Sequence, residues 1–133
     1  MGVFDRLVLF SEVHGTVLMD GKPVQGAELV EQVIWSENEN EIPPQRCTTD
    51  ARGAFRFPAI ERRAGLRRLI HSQPVVLQRI VIRYRGGEYI GWRNGKTSWD
   101  ANTELDGRPI ELVCELDREP GHEGTHYGIC QVA

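Results

Sequence analysis

Hydrophobic and polar residues alternate with a period of two along much of this chain. The clearest run is 75–84, in which Ile80, Ile82 and Tyr84 share one face while Arg79 and Arg83 lie on the other. This alternation is typical of a strand with one buried side and one solvent-facing side. Six further runs show the strand pattern less completely; they cover residues 13–19, 27–35, 54–57, 88–92, 109–116 and 127–132. The pattern therefore predicts about seven strands.

Turn sequences separate these runs. Asp20-Gly21, Gly86-Gly87 and Asn94-Gly95 are typical of tight turns between antiparallel strands. A helical spacing of leucines and arginines occurs near residues 61–70, where Gly65 disfavours a long helix. We therefore predict an all-β protein: a single antiparallel β-sandwich with at most one short helix near 61–70. It would form one domain over 1–133.

Length and composition agree with a folded domain. The chain has 133 residues, of which 40% are hydrophobic and 26% charged, and it contains 14 glycines and 7 prolines. No apolar run is long enough to cross a bilayer, and the first residues lack the basic and apolar segments of a secretory signal. We therefore expect a cytoplasmic protein with no membrane partner.

Charge is unevenly distributed. Residues 1–50 carry nine acids and three bases, residues 51–99 carry two acids and eleven bases, and residues 100–133 carry eight acids and two bases. The net charge is −3 and the isoelectric point is about 5.8, whereas binding to a phosphate backbone usually requires an excess of basic residues. Strands from different thirds can neutralise one another across a sheet, so no nucleic-acid partner is expected.

Three cysteines, Cys47, Cys114 and Cys130, have no metal-binding spacing. Free thiols are expected in a reducing compartment, although neighbouring strands could bring Cys114 and Cys130 together as a disulfide. His122 and His126 lie near Cys130 in a glycine-rich tail, but their spacing is not that of a helical zinc site. We expect no metal site and no cofactor.

No pattern indicates catalysis. The serines lack the glycine-flanked turn that exposes a nucleophile, and no cysteine has a neighbouring histidine in sequence. We therefore expect no catalytic residues and no enzymatic activity.

Binding features are more informative. Trp35 and Trp92 are expected in the core, whereas Trp99 lies between polar residues and is expected to be exposed. Three glutamates in a proline-ended segment, here called the acidic loop, have no core-forming pattern; they are Glu37, Glu39 and Glu41. Because exposed tryptophan and clustered charge are common at protein interfaces, we predict that the acidic loop binds a partner, with Trp99 a further candidate. The arginines at 62–68 are a second charged segment.

Three segments in the first half of the chain form a recognisable pattern: His-Gly-Thr-Val at 14–17, Asp-Gly-Lys-Pro-Val-Gln-Gly-Ala at 20–27 and Thr-Thr-Asp-Ala-Arg-Gly-Ala-Phe-Arg-Phe at 48–57. This pattern resembles that of carboxypeptidase regulatory-like domains, which are prealbumin-like β-sandwiches, so the expected sandwich is prealbumin- or immunoglobulin-like. These segments cover about a third of the chain. The resemblance implies a sandwich fold and is nearly silent on function.

Four further segments are spread over the whole chain: Leu-Phe-Ser at 9–11, residues 80–92, Leu-Val-Cys-Glu-Leu at 112–116 and Gly-Ile-Cys at 128–130. Through them the chain resembles a small uncharacterised bacterial family. Such proteins accompany genes for toxins of the type VI secretion system. The resemblance implies an immunity protein that neutralises a cognate toxin by direct binding. The alternative is a carbohydrate- or ligand-binding accessory module.

Overall fold

The structure is a computed structural model that describes residues 6–35, 42–63 and 75–133. Strands account for most of these residues, and one short 3-10 helix, Thr103–Leu105, lies among them. The strands are β1 Arg6–Phe10, β2 Val13–Met19, β3 Lys22–Pro23, β4 Glu28–Trp35, β5 Gln45–Thr48, β6 Ala54–Phe57, β7 Ile60–Arg63, β8 Val76–Tyr84, β9 Gly87–Lys96, β10 Ile110–Glu115, β11 Gly121–Glu123, β12 His126–Gly128 and β13 Cys130–Val132.

Six strands form the large sheet, in the order β11-β12-β9-β8-β4-β5. All of its pairings are antiparallel. Three long strands, β4, β8 and β9, form its centre. Leu29 of β4 lies opposite Ile82 of β8, and Ile80 of β8 lies opposite Trp92 of β9. These side chains are fully buried, so the face that carries them is the core face of the sheet.

The second sheet has the order β13-β10-β2-β3, and β6 also pairs with β2. The β2–β10 pairing is parallel, whereas β2–β3, β2–β6 and β10–β13 are antiparallel. A separate two-stranded sheet joins β1 to β7. The sandwich is therefore antiparallel except at β2–β10.

Side chains from both sheets pack into one hydrophobic core. Val13, Val17 and Leu112 contribute from the second sheet, and Leu29 and Ile80 contribute from the large one. Burying both inner faces in this way is what stabilises a β-sandwich, because each sheet covers the apolar face of the other. The all-β sandwich predicted from the alternation is confirmed.

The predicted turns are only partly correct. The hairpin between β8 and β9 turns at Arg85 and Gly86, which both have positive φ, and not at Gly86-Gly87. Asn94-Gly95 is not a turn, because both residues continue β9 and pair with β8. Of the segment 61–70, for which at most one short helix was predicted, residues 61–63 form part of β7 and pair with β1. Residues 64–70 lie outside the described residues.

Candidate functional site

A buried polar network fixes the centre of the large sheet. Gln78, on β8, is buried on the core face, and its Oε1 accepts hydrogen bonds from Trp92 Nε1 and Asn94 Nδ2, both at 3.1 Å. Its Nε2 donates to Leu9 O at 3.1 Å and to Glu104 Oε2 at 2.8 Å. Because buried polar groups are expensive to leave unpaired, this network holds β8 and β9 in one register.

Glu104 connects the same network to the 3-10 helix and to the end of β1. Its Oε1 accepts from Ser11 Oγ at 2.7 Å and its Oε2 from the Ser11 backbone N–H at 3.0 Å. Ser11 Oγ also accepts from the backbone N–H of Asn102 at 2.8 Å. Glu104 therefore accepts several hydrogen bonds in a buried position. The network makes this part of the sheet rigid, so side chains on the outer face of the sheet project from a fixed backbone.

The outer face of the large sheet, which points away from the core, carries a row of directly opposed polar residues. We call this the basic row; from β4 across to β11 it consists of Gln32, Arg79, Arg93, Tyr127 and His122. Two arginines lie side by side at its centre, on β8 and β9. Opposed residues of an antiparallel pair have Cβ atoms about 5 Å apart, so these two arginine side chains project from adjacent positions.

Three pairs of neighbouring side chains in the basic row are in contact. Arg79 Nε donates to Gln32 Oε1 at 3.0 Å. The Arg93 guanidinium lies 4.8 Å from the centre of the Tyr127 ring, which in turn meets the His122 ring edge-on at 5.1 Å. Within the described part of the chain, no carboxylate lies within ion-pair distance of Arg79 or Arg93. The row is therefore a group of hydrogen-bond donors and aromatic rings with two positive charges that pair with no carboxylate of the described residues.

A second row, two residues further along the strands, is apolar. We call it the apolar row; it consists of Ile34, Leu77 and Gly95, which are directly opposed on β4, β8 and β9. Ile34 is 66% exposed and Leu77 is 51% exposed, although both belong to the best-paired part of the sheet. Gly95 adds no side chain, so the two large residues border a flat strip of backbone.

The two rows line a broad depression of about 820 Å³. Thr125, from the turn between β11 and β12, and Pro44, just before β5, close two of its sides. Contiguous exposed apolar side chains beside charged ones are unusual on a surface that only faces water and are typical of binding surfaces. This depression is the candidate functional site.

The structure corrects the prediction for Trp99. This residue is only 5% exposed; its ring meets that of Trp35 edge-on at 5.5 Å, and its carbonyl accepts from Val8 N at 2.9 Å. Polar neighbours in sequence misled the prediction, because the chain turns this side chain inward beneath them. Trp35 and Trp92 are buried, as predicted.

The prediction of free thiols is wrong for Cys114 and Cys130, which form a disulfide. The two residues are directly opposed on β10 and β13, so the strand pairing itself brings the sulfur atoms together. His126 Nε2 donates to the Cys130 carbonyl oxygen at 2.8 Å, and its ring stacks on Trp92 at 4.2 Å. Cys130 and His126 are thus engaged in packing, while His122 points to the outer face.

Other charged residues singled out in the sequence lie apart from this site or beyond the described residues. Glu37, Glu39 and Glu41 of the acidic loop lie outside the described residues, as does 64–68 of the arginine segment. Arg62 and Arg63 are exposed on β7, in the small two-stranded sheet. The predicted interface at the acidic loop therefore stays a prediction.

The site offers groups for both polar and apolar contacts. Guanidinium groups bind carboxylates and phosphates through several hydrogen bonds, and Ile34 and Leu77 favour an apolar contact. Cys47, a free thiol, lies on β5 away from the depression, and burial raises its pKa to about 11. A thiol with that pKa is protonated at neutral pH and is a poor nucleophile. In the described ranges, no group of three or more His, Cys, Asp or Glu is placed to hold a metal ion.

Sequence reasoning found only part of this site. Alternation along β8 correctly placed Arg79 on a polar face. It could not place Arg93 opposite Arg79, because that pairing depends on the turn and on an irregularity between Ile80 and Val81. Tyr127 and His122 join the row through one bridge to β9, for which the sequence has no signal.

Fold and surface together define a class: a β-sandwich with an exposed apolar and basic face on its larger sheet. The chain matches, over residues 13–119, the model of a family described as a domain of unknown function, DUF6795, and it belongs to that family. The match includes Arg79, Arg93 and the apolar row, while the β11–β12 hairpin lies beyond it. No curated protein matches the chain. None of the described residues form a helix that is long and apolar enough to cross a membrane.

Proposed function

We propose that this protein is a binding domain without catalytic activity, which docks a partner protein on the outer face of its large sheet. The observation that carries the proposal is the apolar row: Ile34 and Leu77 are more than half exposed in the middle of a rigid sheet. Soluble domains tend to keep such side chains covered, and interfaces combine them with arginine and tyrosine. Arg79, Arg93 and Tyr127 supply that combination here.

In its finer form, we propose that the partner is a toxin of the type VI secretion system and that the protein is its immunity protein. Support comes from the resemblance to a bacterial family that accompanies such toxin genes. An inhibitor of this kind needs affinity and a fast encounter, and an interface with apolar anchors and charged groups supplies both. The carboxypeptidase regulatory-like resemblance supports the sandwich scaffold and adds nothing about the partner.

We further propose that binding takes place in the cytoplasm, the compartment that is expected from the sequence. The Cys114–Cys130 disulfide is the feature that weighs against this, because thiols are kept reduced there. Trapping thiols with an alkylating reagent in intact cells, followed by mass spectrometry, distinguishes the compartments. An oxidised pair in cells would place the protein in an oxidising compartment instead.

A carbohydrate- or ligand-binding accessory module is the second candidate, and the size of the depression favours it. A volume of about 820 Å³ lies within the range of small-molecule sites. All three tryptophans are buried, however, so no indole ring is available as a flat surface for a sugar. We therefore rank protein binding first.

The test begins with two purified variants. Ile34→Asp combined with Leu77→Asp places charge in the apolar row, and Met19→Asp is the matched control, because Met19 is an exposed apolar residue on the second sheet. Each is used as bait in a lysate of the source organism. A protein captured by the wild type is then purified and its affinity measured for all three baits.

We expect the double variant to bind the purified partner at least about 30-fold more weakly, the size of a typical hot-spot effect, and Met19→Asp to bind normally. Co-expression with the partner then tests immunity, since a toxin's effect on growth should be relieved by the wild type and not by the double variant. Equal affinities of all three baits would refute docking on this face. Saturable binding of a sugar and of no protein would favour the second candidate.

A further inference from the structure

Two arginines on β8, Arg83 and Arg79, have oppositely charged surroundings in the large sheet. Arg83, on β8, is directly opposed by Glu28 on β4 and by Glu88 on β9. Its Nε lies 3.0 Å from Glu88 Oε2, and its Nη1 lies 3.8 Å from Glu28 Oε1. The sheet thus neutralises this arginine with a carboxylate on each side.

Four residues along β8, the same two positions are occupied differently. Arg79 is opposed by Gln32 on β4 and by Arg93 on β9, so a neutral amide and a second cation replace the two glutamates. Like charges directly opposite each other destabilise an antiparallel pair. An anion that binds between the two arginines would offset this repulsion.

We propose that the basic row binds the carboxylate of an aspartate or glutamate in the partner protein, and that the apolar row binds an apolar side chain two residues away in the same partner segment. This inference rests on the proposed function and names the chemistry that the outer face recognises. Two long side chains that project from opposed positions, as those of Arg79 and Arg93 do, can both turn to donate to one carboxylate. Such charge-assisted hydrogen bonds are among the strongest in proteins.

The spacing of the rows fixes the partner's sequence pattern. Arg79 and Leu77 are two residues apart on one strand, which corresponds to about 6.7 Å. An extended peptide lying along β8 presents its own residues i and i+2 on one side at the same spacing. For a segment that runs antiparallel to β8, the expected pattern is an acidic residue, any residue, then a large apolar residue, in extended conformation.

A protein segment fits this surface better than a nucleic acid does. The two arginines are bordered by Ile34 and Leu77, whereas a phosphate backbone requires positive charges repeated along its length. The net charge of −3 also opposes long-range attraction of a polyanion. Binding the carboxylate of a single side chain next to an apolar contact requires neither repeated positive charges nor long-range attraction.

The test uses synthetic peptides and the full chain, with backbone amide signals followed by nuclear magnetic resonance. The first peptide is acetyl-Ser-Glu-Ser-Leu-Ser-amide, the second has Gln in place of Glu, and the third has Glu and Leu adjacent, so that they point to opposite sides. The protein variants are Arg79→Gln with Arg93→Gln and, as matched control, Arg83→Gln on the same strand and face. Melting temperatures verify that all variants are folded.

We expect the first peptide to shift the amides of Leu77, Arg79 and Arg93 and to bind at least about tenfold more tightly than the other two. The double arginine variant should lose this preference, and Arg83→Gln should keep it. The inference is overturned if the three peptides bind alike, if none binds, if the double variant binds as the wild type does, or if a short oligothymidylate binds more tightly in the same arginine-dependent way. A purified partner that needs Ile34 and Leu77 but not Arg79 and Arg93 would leave the proposed function standing and refute only this inference.

Discussion

Replacing Glu31 with glutamine should make the protein more stable at neutral and alkaline pH. Glu31 lies on β4 with its side chain on the core face, fully buried and directly opposite Ile80. Gln45 Nε2 donates to its Oε1 at 2.7 Å, while its Oε2 has no hydrogen-bond partner among the described residues. Burial raises the pKa of Glu31 to about 8, the nearby charge of Glu104 adds to this rise, and the bond from Gln45 opposes it.

The magnitude follows from the difference between the folded and unfolded states. In the unfolded chain this carboxyl ionises near pH 4.5, whereas in the fold it holds its proton up to about pH 8. Between those values the folded state binds more protons, so its stability falls as pH rises, by about 1.4 kcal/mol per pH unit. From pH 5 to pH 7.5 the wild type should lose about 3 kcal/mol of unfolding free energy, and the loss should end above pH 8.

The Glu31→Gln variant carries no charge at this position and should lack that slope. Urea unfolding, followed by the fluorescence of the buried tryptophans, measures the free energy of unfolding at each pH. Glu28→Gln is the matched control, because Glu28 lies on the same strand but is exposed in surface ion pairs with Arg46 and Arg83. Such pairs contribute little, so this control should keep the wild-type slope.

The shifted carboxyls of Glu12 and Asp50 act in a different pH range. Hydrogen bonds and charges, first the bond from Arg56, lower the pKa of Glu12, and backbone N–H groups, first that of Ala54, lower the pKa of Asp50. Their contributions are present above their unfolded pKa values of 4.5 and 3.8 and are lost as pH falls, below the range in which Glu31 acts. A wild type whose stability stays level from pH 5 to pH 8, or a Glu31→Gln variant that keeps the slope, would refute the reasoning.

Three further predictions concern the disulfide, the polar network and the acidic loop. Replacing Cys114 and Cys130 with alanine opens a covalent loop of sequence separation 16 and should reduce the unfolding free energy by about 3 kcal/mol; equal stability of variant and wild type without reductant would contradict the pairing. Glu104→Ala leaves the Ser11 and Gln78 donors unpaired and should destabilise by about 3–5 kcal/mol in the same urea assay, whereas a loss below about 1 kcal/mol would mean the network contributes little. Reversing all three glutamates of the acidic loop to lysine should slow association with the partner, most strongly at low salt; an on-rate that is unchanged at low salt would place the interface elsewhere.

The fold could be predicted better than the site, because the alternation of apolar and polar residues along a strand indicates which of its own side chains are buried. The pattern of β8 placed Ile80 and Ile82 inside and Arg79 outside, as the structure confirms. Strand partners, however, depend on the turn. A loop at Gly86-Gly87 would have placed Arg79 opposite Asn94, whereas the observed loop at Arg85-Gly86 and the irregularity after Ile80 place it opposite Arg93.

Non-local pairing explains the other differences. Cys114 and Cys130 become neighbours only because β13 returns along β10, which no local pattern specifies. Trp99 is buried because it packs against Trp35, far away in sequence, although its own neighbours are polar. Composition around a residue predicts its exposure poorly when long-range contacts decide it.

The central claim, that the outer face of the large sheet is the partner interface, is tested most directly by amide hydrogen exchange with and without the purified partner. The account predicts slower exchange on binding in segments 32–35, 77–79 and 93–95, which carry both rows, and no change in β2 or β10 of the second sheet. Protection confined to β2 and β10, with the outer face unchanged, would contradict it.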